Sequence, residues 1–94
     1  MLFRSARHAL ALAGTEVPLS PTEFRVLAAL VSREGEVVRR AALIAAGWPD
    51  GAIVSDNTLD SYIRRIRVKL EEVGSTASLR TARGVGYRFE PGER

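Results

Sequence analysis

The sequence predicts an α+β domain: an N-terminal antiparallel sheet, three helices, then a C-terminal β-hairpin. Three segments carry this expectation. Residues 56–73 place Leu59, Ile63, Ile66, Leu70 and Val73 at steps of 4, 3, 4 and 3, which stacks them along one side of a 3.6-residue helix. Ser20-Pro21-Thr22-Glu23 spells a helix entry, with a hydroxyl cap, Pro at the first turn and a Glu three residues on. Residues 79–82 and 86–90 read as two strands, with Arg83-Gly84-Val85-Gly86 as a tight tip.

The elements follow in order. Residues 7–12 alternate loosely, Ala13-Gly14-Thr15 supplies turn chemistry, and Val17-Pro18-Leu19 returns. Pro18 has no N–H to donate, so the returning strand belongs at an edge. Residues 1–4 read as the remnant of a further strand. In the first helix Ser20 and Glu23 are expected to bond each other's amides, and Leu19 and Phe24 to close a hydrophobic staple. Phe24, Leu27, Ala28 and Val31 follow at helical spacing, with Gly35 just past the end. This helix is assigned to the core and no chemistry is assigned to it. Val37-Val38 reads as a brief extended link. Residues 40–46 form a second, Ala-rich helix ended by Gly47, Trp48 and Pro49, and residues 49–55 are a loop. Ser55 or Asp56 caps the third helix, which ends near Gly74. In the hairpin, Gly84 and Gly86 are assigned positive φ. Tyr87 and Phe89, two apart on one strand, are assigned to the core.

Ninety-four residues support one modest core, so residues 1–94 are read as a single domain. A hydrophobic fraction of 46% with 27% charged residues is ordinary for a globular chain. With no Cys, disulfides, thiolate metal sites and cysteine nucleophiles are excluded, and a reducing cytoplasm is the expected location. No apolar run approaches the roughly 18 residues that span a bilayer, and the N-terminus has no long apolar stretch of the secretory kind. His8 is the only histidine. No nucleophile–base pair, carboxylate pair or metal constellation is visible, so neither catalysis nor a cofactor nor a metal is expected.

The net charge of +3 matters less than its placement. From Arg64 to Arg88 there are seven bases against two acids, a balance of +5, so the rest of the chain nets −2. That is the footprint of a surface that meets phosphates. On the third helix Asn57, Thr58, Ser61, Arg64, Arg65 and Val68 face away from the apolar stripe. A merely solvated face usually mixes both signs in i,i+4 pairs. Here Asp56, Asp60, Glu71 and Glu72 sit at the ends, while Arg64, Arg65, Arg67 and Lys69 crowd the middle. A helix, a short connection, a second helix and a two-stranded hairpin form the layout of a winged helix-turn-helix. In that layout residues 56–73 would enter the DNA major groove, and the wing at 79–90 would lie on the adjacent backbone or minor groove. Arg64, Arg65 and Arg67 on the helix, and Arg80, Arg83 and Arg88 around the wing, supply the charge both elements need. The alternative is a winged-helix module that binds protein or RNA through other faces, which would leave the arginine surface dispensable.

LSPTEFRVLAAL, DNTLDSYIRRIRVKL and LRTARGVGYRF resemble the first-helix entry, recognition helix and wing of the OmpR/PhoB family of response-regulator effector domains. The resemblance runs from about residue 7 to residue 89. It implies sequence-specific binding of double-stranded DNA in transcription regulation by a two-component system. A phosphorylatable receiver domain normally precedes such a domain. This chain holds none, so it is expected to be an excised C-terminal part. The resemblance further implies pairing head to tail, as a weak dimer on direct-repeat DNA sites, with the loop at 49–55 facing RNA polymerase. Arg65 matches the arginine that reaches base edges, with Ser61 and Asp60 one turn earlier. Asn57, Thr58, Tyr62, Arg64 and Arg67 fall where the family contacts phosphates, as do Arg40 and Trp48 on the second helix and Thr81 and Arg83 on the wing. Three positions depart from the pattern. Asn57 stands where a basic residue is frequent, which weakens one phosphate contact. Ser61-Tyr62 replaces the usual Val-His, which alters the preferred base sequence. Arg39 occupies the position where Ser usually caps the second helix, so that helix start is expected to fray.

Overall fold

In the computed structural model, which describes residues 2–4 and 8–92, nine elements follow along the chain. They are β1 (Leu2–Arg4), β2 (Ala9–Leu12), β3 (Thr15–Pro18), α1 (Pro21–Val31), β4 (Val37–Arg39), α2 (Arg40–Gly47), α3 (Asp56–Glu72), β5 (Ser78–Ala82) and β6 (Gly86–Glu90). Residues 1 and 7, at which two of the expected strands begin, lie outside the described residues.

The first three strands form an antiparallel meander in the order β1-β2-β3. Ala13 and Gly14 both take positive φ, 49° and 86°, in a two-residue loop whose twist suits the flanking strands. Pro18 pairs only with Ala9 of β2, at the sheet edge its missing N–H requires.

The capping box of α1 closes in both directions. The Glu23 N–H donates to Ser20 Oγ at 3.1 Å, and the Ser20 N–H donates to Glu23 Oε1 at 2.7 Å. The buried stripe, however, is Glu23, Val26, Leu27 and Leu30, rotated from the expected Phe24, Leu27, Ala28 and Val31. Phe24 sits at the rim, where its ring stacks on His8 at 4.2 Å, and Glu23 turns inward toward Lys69. The helix is core, as expected, and among its buried residues is one carboxylate.

Residues 37–39 are a strand and not a link. β4 joins the hairpin in a sheet of order β4-β6-β5, pairing Val37 with Arg88, Val38 with Tyr87 and Arg39 with Gly86. This pairing explains Gly86 differently from the turn argument. Gly84 has positive φ, +75°, as expected, whereas a Cβ on Gly86 would lie 1.9 Å from the Val38 carbonyl oxygen. Gly86 is needed for close approach of two backbones.

No side chain caps α2 at Arg39. Instead the Arg40 N–H donates to the Val85 carbonyl at 3.1 Å, so the hairpin tip satisfies the first turn. Ser55 caps α3, its Oγ accepting from the Thr58 N–H at 3.2 Å. At the other end Gly74 takes φ +84°, the Ser75 N–H reaches the Leu70 carbonyl and the Gly74 N–H that of Glu71. This double bond pattern terminates a helix through a left-handed glycine.

One core joins these parts. Leu59, Ile63 and Ile66 of α3 are fully buried, together with Leu10, Leu27, Leu30 and Leu43, and Tyr87 and Phe89 of β6 close it from the hairpin side. Each such aliphatic side chain contributes roughly 1.5–3 kcal/mol on burial. The inward stripe of α3 is therefore firmly seated, and the helix's opposite flank is left uncovered. Among the described residues no helix is long and apolar enough to cross a membrane.

Candidate nucleic-acid interface

The outer flank of α3 presents Asn57, Ser61, Arg64, Arg65 and Val68 to solvent, with Thr58, Asp60, Tyr62 and Arg67 half-buried beside them. Three contact clusters fix how this flank stands against its neighbours.

The first cluster locks α2, α3 and β6 together. Arg40 Nη2 donates to Asp60 Oδ1 at 2.7 Å and to the Asp56 carbonyl at 3.0 Å, while its Nε donates to Asp56 Oδ1 at 3.2 Å. The Tyr87 hydroxyl donates to the same Oδ1 of Asp60, and the Arg40 guanidinium lies 5.6 Å above the Tyr87 ring. The bonds from Tyr87 and Arg40 hold the Asp60 carboxyl below its ordinary range, outweighing its burial. Arg40 is pushed upward, chiefly by its bond to Asp60. Burial, and then Asp60, push the Tyr87 phenol upward. At neutral pH the cluster is therefore an anion held between a cation and a neutral phenol.

The second cluster ties α3 to the hairpin. Arg67 reaches the Leu79 carbonyl through Nε and Nη2, at 3.1 and 2.7 Å, and Thr81 Oγ1 through Nη2 at 3.1 Å. Its guanidinium lies 5.7 Å from the Tyr87 ring centroid, so Arg40 and Arg67 both neighbour the Tyr87 ring. The third cluster runs along the flank itself. Trp48, at the end of α2, packs edge-on against Tyr62 at 5.2 Å and 89°, and the Arg65 guanidinium lies 4.6 Å above the same Tyr62 ring.

Of the basic residues expected on this surface, Arg64, Arg65 and Arg83 are exposed and make no hydrogen bond among the described residues. Lys69 is withdrawn from it: its ammonium meets Glu23 Oε1 at 2.6 Å, binding α1 to α3. Sequence reasoning missed this pair. The hairpin departs from expectation too. Arg80 stands opposite Arg88 in the register, whereas Thr81 stands opposite Tyr87, so strand alternation puts the two arginines on the sheet face away from Tyr87. Both reach Glu90. Of the wing's arginines, Arg83 alone meets no such acid among the described residues. Among the described residues no group of His, Cys, Asp and Glu stands together as a metal site.

A family model described as "Transcriptional regulatory protein, C terminal" matches residues 14–89. The response regulator protein GraR of Staphylococcus aureus is 42% identical over 69 residues, covering 73% of this chain and 31% of that protein. The transcriptional regulatory protein AfsQ1 of Streptomyces coelicolor is 38% identical over 79 residues, covering 83% of this chain and 35% of that one. The chain thus spans about a third of the length of these curated relatives. Among solved structures, the DNA-binding domain of the response regulator AdeR, in complex with an intercistronic region, superposes with a TM-score of 0.80. It is 26% identical, and the match covers 94% of this chain and 90% of that one.

Proposed function

Because the chain belongs to the family of C-terminal domains of transcriptional regulatory proteins, we propose that it binds double-stranded DNA sequence-specifically, as the effector domain of a two-component response regulator. The family is one of regulatory domains and not of catalysts. One observation carries the reading. α3 buries one side completely while Ser61, Arg64 and Arg65 stand exposed on the other, and the Arg67–Thr81 bond brings the hairpin alongside that exposed flank. The related domain crystallised in complex with an intercistronic region supports DNA as the partner.

In this reading α3 lies in the major groove, and the wing follows the neighbouring backbone or minor groove. Arg65 reads a guanine edge and Ser61 a neighbouring base. Asp60 accepts both of its internal bonds on Oδ1, which leaves Oδ2 for a base amino group. Asn57, Thr58, Tyr62, Arg64, Trp48, Thr81 and Arg83 meet phosphates. Arg40 and Arg67, whose Nε and Nη2 are already engaged, add the Nη1 edge and hold the frame. The domains pair head to tail on direct repeats. The loop at 49–55, where Ile53 is fully exposed, faces RNA polymerase, and the protein works in the cytoplasm.

Selection from a pool of random duplexes tests this. The expected product is a family of enriched sites in tandem repeat, with a guanine at an invariant position. A pool recovered without enrichment, or preferential capture of RNA, would overturn the reading.

A further inference from the structure

Arg65 is held differently from the other arginines of the interface. Arg40 and Arg67 are fixed by hydrogen bonds to carboxylates and carbonyls, which use up N–H groups. Arg65 makes no such bond among the described residues; its restraint is the face of Tyr62, 4.6 Å away. Tyr62 and Arg65 are three residues apart on α3, so their side chains lie on neighbouring turns. Tyr62 is itself half-buried and braced edge-on by Trp48. The Trp48 backbone is in turn anchored at the end of α2 by its N–H bond to the Ile44 carbonyl, 2.9 Å.

We propose that Tyr62 is a positioning residue for base recognition, holding the Arg65 guanidinium over its ring, with Trp48 as the brace behind it. The proposal rests on the DNA-binding reading above and deepens it. A stacked guanidinium differs from a hydrogen-bonded one in what it leaves unspent. The contact with the ring spends no N–H, and Arg65 makes no hydrogen bond among the described residues, so its five donors stay available. A long exposed arginine must otherwise give up rotamer freedom on reaching a base. Stacking removes part of that cost before the duplex arrives. Base selectivity at the Arg65 position is then set partly by the end of α2, outside the recognition helix.

Three proteins separate this role from others: wild type, Tyr62→Phe and Tyr62→Leu. The readout is the ratio of Kd values for a duplex selected by the wild type and for the same duplex with its guanine replaced. Phe keeps the stacking face and loses the hydroxyl, so Tyr62→Phe should keep the wild-type ratio even where a lost phosphate bond weakens both duplexes alike. Tyr62→Leu should lower the ratio about two- to fivefold, the size of an exposed cation–π contact. A spectroscopic readout needs neither DNA nor a variant. In the wild type the Arg65 side-chain protons should resonate upfield through the Tyr62 ring current, and this shift should persist in Tyr62→Phe.

Equal ratios in wild type and Tyr62→Leu would overturn the positioning role and leave DNA binding standing. Wild-type Arg65 protons at random-coil positions would overturn it even if Tyr62→Leu failed to fold. A wild type with no base preference at all would overturn both readings.

Discussion

Glu23→Ala tests the least expected contact in the domain. The Glu23 side chain is 4% exposed and meets the Lys69 ammonium, 27% exposed, at 2.6 Å; its Oε1 also takes the Ser20 N–H at 2.7 Å. Removing the carboxylate deletes one charge-assisted bond, worth about 1.5–3 kcal/mol when buried, and one capping-box bond of about 1 kcal/mol. Lys69 is partly open to water and recovers some hydration, so the expected loss is about 2–4 kcal/mol. For a domain of this size each kcal/mol lowers Tm by roughly 4–8 °C. Urea titration followed by the fluorescence of Trp48, the only tryptophan, should show a lower midpoint with an unchanged slope. Burial alone would raise the Glu23 pKa, yet the bonds from Lys69 and Ser20 together bring it below the ordinary 4.5. A carboxylate with a depressed folded pKa contributes stability that is complete above the ordinary value and is lost as pH falls through the folded value. The wild type should therefore lose stability in that acid range, and Glu23→Gln should lose less of it. A Glu23→Ala midpoint corresponding to less than about 0.5 kcal/mol of change would refute the assignment of Glu23–Lys69 as the clamp between α1 and α3.

Two further substitutions probe the frame of the interface. Gly86→Ala would place a methyl 1.9 Å from the Val38 oxygen, so β4 and β6 must separate; a loss of about 3 kcal/mol or more is expected, and hydrogen exchange should quicken first at residues 37–39. Tyr87→Phe removes only the hydroxyl bonded to Asp60. It should cost about 1–2 kcal/mol and let the Asp60 pKa rise toward the ordinary range in an NMR titration, while an unmoved Asp60 would contradict the role given to that bond.

What could be read from the sequence was local. The α1 capping box lies within four residues, the α3 stripe within five turns, and the hairpin tip within its own glycine, so their causes are adjacent in the chain. What escaped was set by pairing at a distance. β4 is three residues long and becomes a strand only because β6 offers it partners, and the same approach explains Gly86. Glu23 and Lys69 are 46 residues apart, with nothing local to join a capping residue to a basic cluster. The placement of Arg80 and Arg88 was legible after all: alternation from Leu79 and from Tyr87 puts both on the outer face, whereas counting bases by segment treats the two faces as one. Of the interface, the exposed residues of α3 could be named from periodicity. The internal engagement of Arg40, Asp60 and Arg67 could not, because each answers to a different element.

The most direct measurement compares Arg65→Ala and Arg83→Ala with wild type in binding to a randomised duplex pool at several salt concentrations. Arg65→Ala should flatten the preference among sequences, losing roughly 1–3 kcal/mol of discrimination at one base pair. Arg83→Ala should weaken every duplex alike and lower the salt slope by about one. Wild type and Arg65→Ala binding all sequences of the pool with the same relative affinities would contradict the assignment of this surface to base recognition.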